Sequence, residues 1–282
     1  MLIIIGYIIV FGSVIGGFMM SGGNVGMLVH VSEIIIIAGA GIGAFVAGCT
    51  SFTLKGAMKG ILHAFSGHSA GKAEYLELLS VLFGLFAKMQ REGVISIEKD
   101  IEQPEASSLF QRYPKIAKDK AACYFIGDTL RVYLTTGSAG ELEKLMEVDI
   151  ESMHEEEITP AHAFERFAES LPGMGIVAAV LGVVLTMSKI NEGAEVLGYS
   201  IGAALVGTFV GILLCYGVFG PIAGKMITLA EERSFFFKVI REAVAAAVRG
   251  SSPIIALEYG RRAIPLAFRP SFQEMEQACK GG

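Results

Sequence analysis

Four long stretches without a charged side chain constrain this sequence more than any other feature. Residues 170–188 contain no Asp, Glu, Lys or Arg, and a helix of that length spans roughly 28 Å, close to the hydrocarbon thickness of a bilayer. Three further stretches share this property: residues 1–32, 34–54 and 196–224. The sequence therefore predicts four transmembrane helices, centred on residues 2–20, 34–50, 171–190 and 199–221.

Composition agrees with an all-α polytopic membrane protein. The mean hydropathy is +0.56 and 18% of the residues are charged, as expected for a chain with several spans. The first stretch lacks the basic residues that begin a signal peptide and is long enough to cross a bilayer. We therefore interpret it as a transmembrane helix.

The basic residues predict the orientation of the spans. Of the 23 Lys and Arg residues, all except Lys189 lie in 51–170 or 222–282, and the connection 21–33 has none. Because cytoplasmic segments carry an excess of Lys and Arg, both termini and both charged regions are predicted to be cytoplasmic. The predicted fold class thus has four transmembrane helices, with a large helical cytoplasmic insertion between spans 2 and 3. The predicted segments are 1–50, which holds spans 1 and 2; 51–170, the cytoplasmic helical domain; 171–221, which holds spans 3 and 4; and 222–282, a cytoplasmic C-terminal helical tail.

Local stop signals divide the insertion into helices. Apolar residues recur at helical spacing after residue 71, and Gly93 is expected to end that helix. Ser96 is a candidate N-cap for the next helix. Pro104 and Pro114 are expected to interrupt the helical pattern after it.

Further signals predict helix boundaries on the way to the third span. Gly137 is expected to stop a long amphipathic helix, and the acidic stretch 138–157 is expected to form another. Thr159 is a candidate N-cap with Pro160 at the first helical position, so a new helix should begin there and run into the third span.

No pattern typical of an enzyme, a metal site or a nucleic-acid-binding surface is found in the sequence. The five histidines lack metal-ligand spacing, and no nucleophile motif accompanies the serines. The net charge of −5 is spread over acidic and basic helices, which does not favour nucleic acid as a partner. We predict no catalytic residue, no metal and no cofactor. The cysteines have no close pairing and predict no disulfide framework: Cys49, Cys123, Cys215 and Cys279.

Small residues recur along the third and fourth predicted spans. They let helices approach closely, because packing drives helix association in lipid. Two interpretations remain open: these residues pack the two spans against each other, or they surround another helix or a narrow polar path. Thr186 and Thr208 supply hydroxyls along the same spans. The small residues are Gly173, Gly175, Ala178, Ala179 and Gly182 in the third span, and Gly202, Ala203, Ala204, Gly207 and Gly211 in the fourth.

The predicted spans contain no acidic or basic side chain apart from Lys189 at the edge of the third. A protein that moves ions through lipid normally carries such a group within the membrane. Either this chain conducts nothing, or the ion-binding group belongs to a partner subunit.

Two prolines favour a partner-dependent conductor. Pro172 lies where the third span enters from the predicted cytoplasmic side, and Pro221 lies where the fourth span returns to it. Each proline removes a backbone donor, so paired kinks are expected to form a hinge between the spans and the cytoplasmic helices. Simple helix termination at Pro221 is the alternative.

Four stretches carry a resemblance to a known family: SLPGMGIVAAVLGVV, VGTFVGILLCYGVFGPIA, REGVISIEKDIEQP and MLIIIGYIIVFGSVIGGFMMSGG. Over nearly its whole length the chain resembles the MotA/PomA family of flagellar motor stator proteins. The resemblance implies a multi-pass protein of the bacterial inner membrane, surrounded by lipid, that forms a homo-pentamer around two copies of MotB. It also implies that MotB supplies a membrane aspartate, and that ion flux drives a rotor through cytoplasmic charges that contact FliG.

The resemblance assigns roles to residues near the spans. It implies that Pro172 and Pro221 couple ion binding to movement and that Thr208 faces the ion path. Ala179 and Thr186 complete the predicted ion pathway. Sodium-driven relatives of the PomA type carry a threonine at the position of Ala179, and a methyl group cannot coordinate a hard cation. The predicted ion is therefore H⁺ in preference to Na⁺.

The resemblance also implies a charged contact with the rotor. Glu98 matches the acidic residue of that contact. The basic residue is open, because many relatives have an arginine where this chain has Gln90, and Arg91 or Lys88 takes the role. The alternative is that these residues are only solvated helix charges.

Two other functions remain in view from the sequence. An ExbB- or TolQ-type subunit that energises outer-membrane transport resembles the last two spans, but that family has three spans and does not match REGVISIEKDIEQP. A membrane scaffold without transport is the other. The identity of a co-purifying single-span partner distinguishes the three functions.

Overall fold

The computed structural model describes residues 2–67 and 70–280, and every regular element in these ranges is helical. Short 3₁₀ turns lie at Val25–Leu28, Val94–Ile97 and Ile190–Glu192, and a π-helical segment lies at Leu214–Phe219. The α-helices are α1 Leu2–Met20, α2 Val31–Ala47, α3 Ser51–Ser66, α4 Lys72–Glu92, α5 Glu98–Glu102, α6 Ser108–Gln111, α7 Pro114–Lys118, α8 Lys120–Thr136, α9 Ala139–Met187, α10 Ala194–Leu213, α11 Gly220–Val248, α12 Pro253–Ala263 and α13 Phe272–Lys280.

Four helical stretches are long and apolar enough to cross a membrane: Leu2–Met20, Val25–Ala47, Ala139–Met187 and Ala194–Val248. The second and third are separated by a large helical insertion. These observations confirm the predicted all-α fold class with four transmembrane helices.

Local backbone signals explain two of the differences between the predicted and the observed span boundaries. Helix α2 ends at Ala47, before the predicted residue 50, and α3 begins at Ser51 with Thr50 as its N-cap, whose hydroxyl accepts from the Thr53 N–H at 3.2 Å. Helix α10 begins at Ala194, before the predicted residue 199. Gly193, with φ +102°, supplies the turn that precedes it.

The chain forms two compact units, each built from two chain segments. The first, here called the transmembrane unit, consists of Met1–Gly67 and Glu156–Leu229; the second, here called the extramembrane unit, consists of His68–Glu155 and Ala230–Gly282. These units cut across the predicted segments 51–170 and 222–282. Side-chain packing decides the division, because α3 and the middle of α9 pack with the spans.

Aromatic rings form the centre of the transmembrane unit. Phe164 and Phe167 stack with ring centroids 5.5 Å apart, and the Phe219 ring meets both, edge to face. The ring of Phe45 of α2 packs against that of Phe167, with the two centroids 5.4 Å apart. Buried Ile37, together with these rings, ties α2 to α9 and to the π-helical segment.

Helix α3 packs closely against α9 and α11 in the same unit. A Cβ added at Gly56 would lie 2.6 Å from the ring of Pro160, and one at Gly60 would lie 2.5 Å from the Met226 methyl group. Glycine is therefore required at Gly56, which faces a rigid ring, whereas the flexible end of Met226 could move to admit a small side chain at Gly60. Ala57 on the same face is fully buried.

The extramembrane unit has a conventional buried core. Helix α4 buries a row of large apolar side chains, among them Leu78, Leu82 and Leu85. They pack with residues of α8, α11 and α12 in one continuous cluster. Burial of this apolar area is the main source of stability for this unit.

Several predicted helix boundaries in the insertion are confirmed. Helix α4 ends before Gly93, which has φ +87°, and α8 ends before Gly137, which has φ +63°. Both are left-handed conformations that only glycine adopts readily. Pro104 lies between α5 and α6, and Pro114 is the first residue of α7, as expected for a residue without an N–H.

Two predicted N-caps are wrong. Thr159 and Pro160 lie inside α9, which continues without a break from Ala139 to Met187. The Pro160 ring packs there against Gly56 of α3. Ser96 lies in the 3₁₀ turn before α5, and its hydroxyl donates to the Gly93 carbonyl at 2.6 Å instead of capping the helix.

Candidate functional site

Glycines bring α9 and α10 into backbone contact within the transmembrane unit. A Cβ added at Gly211 would lie 2.6 Å from the carbonyl oxygen of Leu171, and one at Gly175 would lie 2.8 Å from the carbonyl oxygen of Gly207. Further along α9, a Cβ at Gly182 would lie 2.7 Å from the Cβ of Ala204. No larger residue fits at these positions without separating the helices. The sequence interpretation of packing between the two spans is confirmed for these glycines.

Other small residues of the same helices have open space beside them. A Cβ added at Gly173 or at Gly202 would meet no heavy atom within 4 Å. The packing within the chain therefore does not require glycine at these two positions. The interpretation that such small residues surround another helix or a polar path stays a prediction.

The structure brings Ala179 and Thr208 to the contact between α9 and α10. A Cβ added at Gly207 would lie 3.3 Å from the backbone nitrogen of Ala179, and one at Gly175 would lie 3.3 Å from the Cα of Thr208. Both residues are partly exposed. Two of the predicted ion-pathway residues therefore lie beside the glycine-packed contact between α9 and α10, here called the glycine seam.

Thr186 lies on α9 two turns beyond Ala179. Its side chain is 2% exposed, and its hydroxyl donates to the Gly182 carbonyl at 2.8 Å. The donor is thus used within the helix, which leaves the oxygen lone pairs as the only hydrogen-bonding capacity of this hydroxyl. This is the most enclosed hydroxyl of the predicted pathway.

One carboxyl lies closer to the spans than the sequence interpretation placed it. Because α2 begins at Val31, Glu33 falls in its first turn. Its exposure is only 9%, and the Ser32 hydroxyl donates to its Oε2 at 2.8 Å. It lies at a helix end, where a carboxylate is stabilised by the positive end of the helix dipole. The middle turns of all four spans remain without Asp, Glu, Lys or Arg.

The two predicted hinge prolines lie inside helices. Pro172 belongs to α9, and the carbonyl of the preceding Leu171 meets Gly211 of α10. Pro221 is the second residue of α11, directly after the π-helical segment. Helix termination at Pro221 is excluded, since α11 continues to Val248.

The π-helical segment Leu214–Phe219 accounts for how the helix accepts Pro221. The Gly220 N–H donates to the Cys215 carbonyl, five residues earlier. Widening the helix by one residue in this way relieves the clash between a proline ring and the preceding turn. Such segments are recognised sites of helix bending.

A hydrogen bond from α1 reaches the same segment. The Tyr7 hydroxyl donates to the Val218 carbonyl at 2.8 Å. On the next turn of α1, Val10 lies against Gly217, where an added Cβ would meet its Cγ1 at 3.0 Å. Reasoning from the sequence did not identify Tyr7. The signal was available, because a tyrosine within an apolar span needs a partner for its hydroxyl.

The predicted rotor residues lie on α4 and at the start of α5, both in the extramembrane unit. Glu98 begins α5 and is exposed, and Arg91 in the last turn of α4 is also exposed. The Arg91 Nε donates only weakly, to the Ala87 carbonyl at 3.3 Å. Within the described ranges 2–67 and 70–280, neither side chain forms a salt bridge. Both charges are therefore presented to solvent.

Lys88 has a different environment. Its Nζ donates to Asp100 Oδ2 at 2.7 Å, with side-chain exposures of 31% for Lys88 and 13% for Asp100. The other oxygen of Asp100 accepts from the Ser107 hydroxyl at 2.6 Å. This network joins α4, α5 and the cap of α6, so the Lys88 charge is compensated within the chain. Reasoning from the sequence missed both Asp100 and Ser107.

The remaining candidate ligands do not converge. Across residues 2–67 and 70–280, no three His, Cys, Asp or Glu side chains are arranged to hold a metal ion. Burial raises the pKa of the Cys123 and Cys279 thiols to about 11, and both lie in the extramembrane unit. They are therefore protonated at neutral pH, in the form that binds metals poorly.

Two family models match the chain. Residues 4–93 match the model described as Motility protein A N-terminal, and residues 119–235 match the MotA/TolQ/ExbB proton channel family. The fold, the glycine-packed helix pair and these matches define a multi-pass helical membrane protein of the proton channel class.

Full-length relatives narrow this class. Motility protein A of Salmonella typhimurium is 40% identical over 98% of this chain and 94% of the relative, and the protein of the same name from Escherichia coli gives the same values. The chain belongs to the motility protein A family. The Motility protein A N-terminal model also covers α1 to α4. The family assignment therefore favours a motility protein over the ExbB or TolQ alternative.

A solved structure agrees with the fold. The C. jejuni MotAB structure matches with a TM-score of 0.80 at 21% identity, over 95% of this chain and 98% of that chain. The similarity covers nearly the whole chain, which supports the observed helical fold.

Proposed function

We propose that this chain is a stator subunit of a bacterial flagellar motor, which forms a proton channel together with a MotB-type partner and drives a rotor. The observation that carries the proposal is the glycine-packed pair α9 and α10, with Ala179, Thr186 and Thr208 along it and no acidic or basic group in the middle of any span. An ion path of this kind lacks its ion-binding carboxyl. A partner helix is the natural source of that group.

Reconstitution tests the need for a partner. The pure chain in liposomes should leave proton permeability at the level of empty liposomes, and addition of the partner should raise it. The matched control is the partner with its membrane aspartate replaced by asparagine, which should assemble without conducting. Appreciable proton flux from the pure chain would contradict a supplied carboxyl.

The proposed assembly is a pentamer of this chain around two copies of the partner, in the inner membrane. The fold matches chains of MotAB complexes from C. jejuni and Bacillus subtilis, which supports a MotB-type partner. The large apolar side chains exposed along α1 and α9 supply the surface for neighbouring helices and for lipid. The mass of the intact complex, measured by native mass spectrometry, tests the stoichiometry.

The proposed orientation places both termini in the cytoplasm. The supporting observation is that the connections 21–33 and 191–198 carry no Lys or Arg, whereas both long charged regions are rich in them. Reporter fusions test this: alkaline phosphatase should be active after residue 25 and inactive after residue 280. The reverse pattern would overturn the orientation.

The proposed ion is the proton. Ala179 lies at the contact between α9 and α10 and offers no oxygen from its side chain, which disfavours Na⁺ as the transported ion. Rotation of tethered cells should collapse with a protonophore and should not change when potassium replaces external sodium. A speed that rises with sodium and saturates at fixed pH would assign the motor to Na⁺.

Pro172 and Pro221 are proposed to couple ion binding to movement. The support for Pro221 is its place directly after the π-helical segment, at a helix that continues on both sides. Pro221→Ala restores a backbone donor and should reduce rotation sharply with little change in membrane abundance. Normal rotation in this variant would show that the proline is incidental, and loss of the protein from the membrane would assign it to stability.

Glu98 and Arg91 are proposed to contact FliG of the rotor. Their support is exposure without an internal ion pair, in contrast to Lys88, whose charge is paired with Asp100. Glu98→Lys should reduce torque, and a charge reversal on FliG should restore part of it. Arg91→Gln should also reduce torque, whereas Lys88→Gln should act on the stability of the extramembrane unit. Torque loss in Lys88→Gln without loss of stability would transfer the basic contact to Lys88.

A further inference from the structure

The π-helical segment Leu214–Phe219 meets α11 at Gly220 and Pro221, and this junction is here called the Pro221 joint. The proline leaves the backbone of the joint short of one hydrogen-bond donor. Proline has no N–H, so the turn before it lacks one donor for its carbonyl groups. Within hydrocarbon no water replaces that donor, and a proline in a span persists only where local π-helical adjustment or a neighbouring helix satisfies the carbonyls. A π-helical adjustment and a hydrogen bond from a neighbouring helix are both present at this joint.

The π-helical segment supplies the first. The Gly220 N–H donates to the Cys215 carbonyl, which removes the crowding one turn before Pro221. The second comes from α1, more than two hundred residues away in the sequence. The Tyr7 hydroxyl donates at 2.8 Å to the carbonyl of Val218, the residue three positions before Pro221.

The α1 helix is held in register with this joint by packing on both sides of the hydrogen bond. Tyr7 packs against the core of the transmembrane unit, which includes Phe167 and Phe219. Val10 lies against Gly217, where the absence of a side chain lets α1 approach. The hydroxyl is therefore aimed at one carbonyl of the π-helical segment and is held there.

We propose that Tyr7 is a positioning residue for the Pro221 joint: its hydroxyl adds a donor from α1 to the turn before the proline, at the Val218 carbonyl, and so holds the joint in the conformation seen here. The inference rests on the coupling role proposed for Pro221. It implies that α1 takes part in the conformational change at this joint. A change in bend at Pro221 must break or remake the bond between Tyr7 and Val218.

The test uses Tyr7→Phe in the full complex, which removes one oxygen and keeps the ring. Tyr216→Phe is the matched control, because Tyr216 lies in the same π-helical segment and its side chain is 73% exposed. Tyr7→Phe should lose most of the rotation speed and partner-dependent proton flux at unchanged membrane abundance. Tyr216→Phe should retain both. Replacement of Tyr7 by 4-aminophenylalanine, which restores a donor, should recover rotation.

A double-variant cycle separates positioning from stability. If Tyr7 acts through the proline joint, Tyr7→Phe should slow rotation in the native background and have no further effect in Pro221→Ala. Additive losses, or a fall in membrane abundance that matches the fall in speed, would overturn the proposal. Normal rotation in Pro221→Ala alone would instead refute the coupling role of the proline. Slow rotation in Pro221→Ala with normal rotation in Tyr7→Phe would refute only the role of Tyr7.

An independent observation concerns the outer face of α3. Its inner face is committed to Pro160 and Met226 through Gly56 and Gly60. The outer face exposes four large apolar side chains: Phe52, Met58, Leu62 and Phe65. Lys55 and Lys59 lie exposed between them, and residues 51–66 contain no Asp or Glu.

Such a face fits the boundary between hydrocarbon and headgroups. Exposed apolar rings enter the acyl region while lysines reach phosphate groups, as in amphipathic helices that lie on anionic membranes. Helix α3 begins at Ser51, shortly after the transmembrane helix α2 ends at Ala47. We infer that this face binds the headgroups of anionic phospholipids, with Lys55 and Lys59 as the charge contacts.

Lipid vesicles of defined composition test this surface without any ion flow. The purified complex should unfold at a higher temperature in phosphatidylcholine with phosphatidylglycerol than in phosphatidylcholine alone. Lys55→Gln with Lys59→Gln should remove most of that shift, whereas Lys118→Gln with Lys144→Gln, a matched pair of exposed lysines of the extramembrane unit, should retain it. An equal shift in both double variants would overturn the inference. A change in the mass of the complex in the α3 variant would instead assign this face to a contact between copies of the chain.

Discussion

The two units of this protein place large apolar side chains differently: α1 of the transmembrane unit exposes them, whereas α4 of the extramembrane unit buries them. Helix α1 of the transmembrane unit is apolar along its length, yet none of its described residues is buried within the chain. Helix α4 of the extramembrane unit buries eight of its residues. The solvent explains the difference: lipid is as apolar as a leucine side chain, whereas water expels it. Burial of large side chains therefore stabilises one unit, and close approach of small residues stabilises the other.

The largest expected effect tests burial. Leu82→Ala removes a fully buried side chain from the extramembrane core and should destabilise that unit by about 2–5 kcal/mol. The substitution Val184→Ala, at a side chain 61% exposed on α9, removes little area that is buried within the chain and should cost less than Leu82→Ala. Thermal unfolding of the complex in lipid nanodiscs, followed by circular dichroism, measures both. Equal effects would contradict the distinction between the units.

The next effect tests close approach. Gly211→Ala places a methyl group 2.6 Å from the Leu171 carbonyl oxygen, so α9 and α10 must separate, at a cost of about 1–3 kcal/mol. Gly202→Ala on the same helix meets open space and should be neutral or slightly stabilising within the chain. Size-exclusion chromatography after stepwise heating measures the loss of the assembled complex. If the Gly211→Ala complex survives heating as well as the unsubstituted complex, α9 and α10 are packed less closely than the structure indicates.

The smallest effect is electrostatic and is confined to the extramembrane unit. Arg261 and Arg262 both bind the Glu258 carboxylate, and the hydrogen bond from Arg261 is the main reason that the pKa of Glu258 is lowered to about 2. A lowered pKa stabilises the fold above the ordinary pKa of glutamate, near 4.5, and this contribution is lost as the pH falls toward 2.

Glu258→Gln should therefore cost about 1 kcal/mol at neutral pH and weaken the acid dependence of unfolding between those pH values. The matched control is Glu276→Gln, whose partner Lys280 is largely exposed and whose loss should be close to neutral. Unfolding temperatures across an acid titration measure both variants. An unchanged acid profile in Glu258→Gln would show that other carboxyls dominate it.

Much of the architecture is predictable because it depends on local chemistry. A charged side chain in hydrocarbon is costly, so the four stretches without charge identify the spans before any packing is known. Gly93 and Gly137 mark helix ends because only glycine adopts their positive φ readily. The candidate pathway residues Ala179 and Thr208 were identified by resemblance to a family. Their proximity at one helix contact was not contained in the sequence.

The sequence by itself therefore determined how many helices cross the membrane, which charges stay outside it and where several helices end. Only the tertiary structure decided that Pro160 lies inside α9, with its ring packed against Gly56 of α3. The same holds for the pairing of Lys88 with Asp100 and for the bond from Tyr7 to Val218. The physical reason is common to all three: each depends on a group from a distant part of the chain, and local propensity contains no information about which distant group will be near.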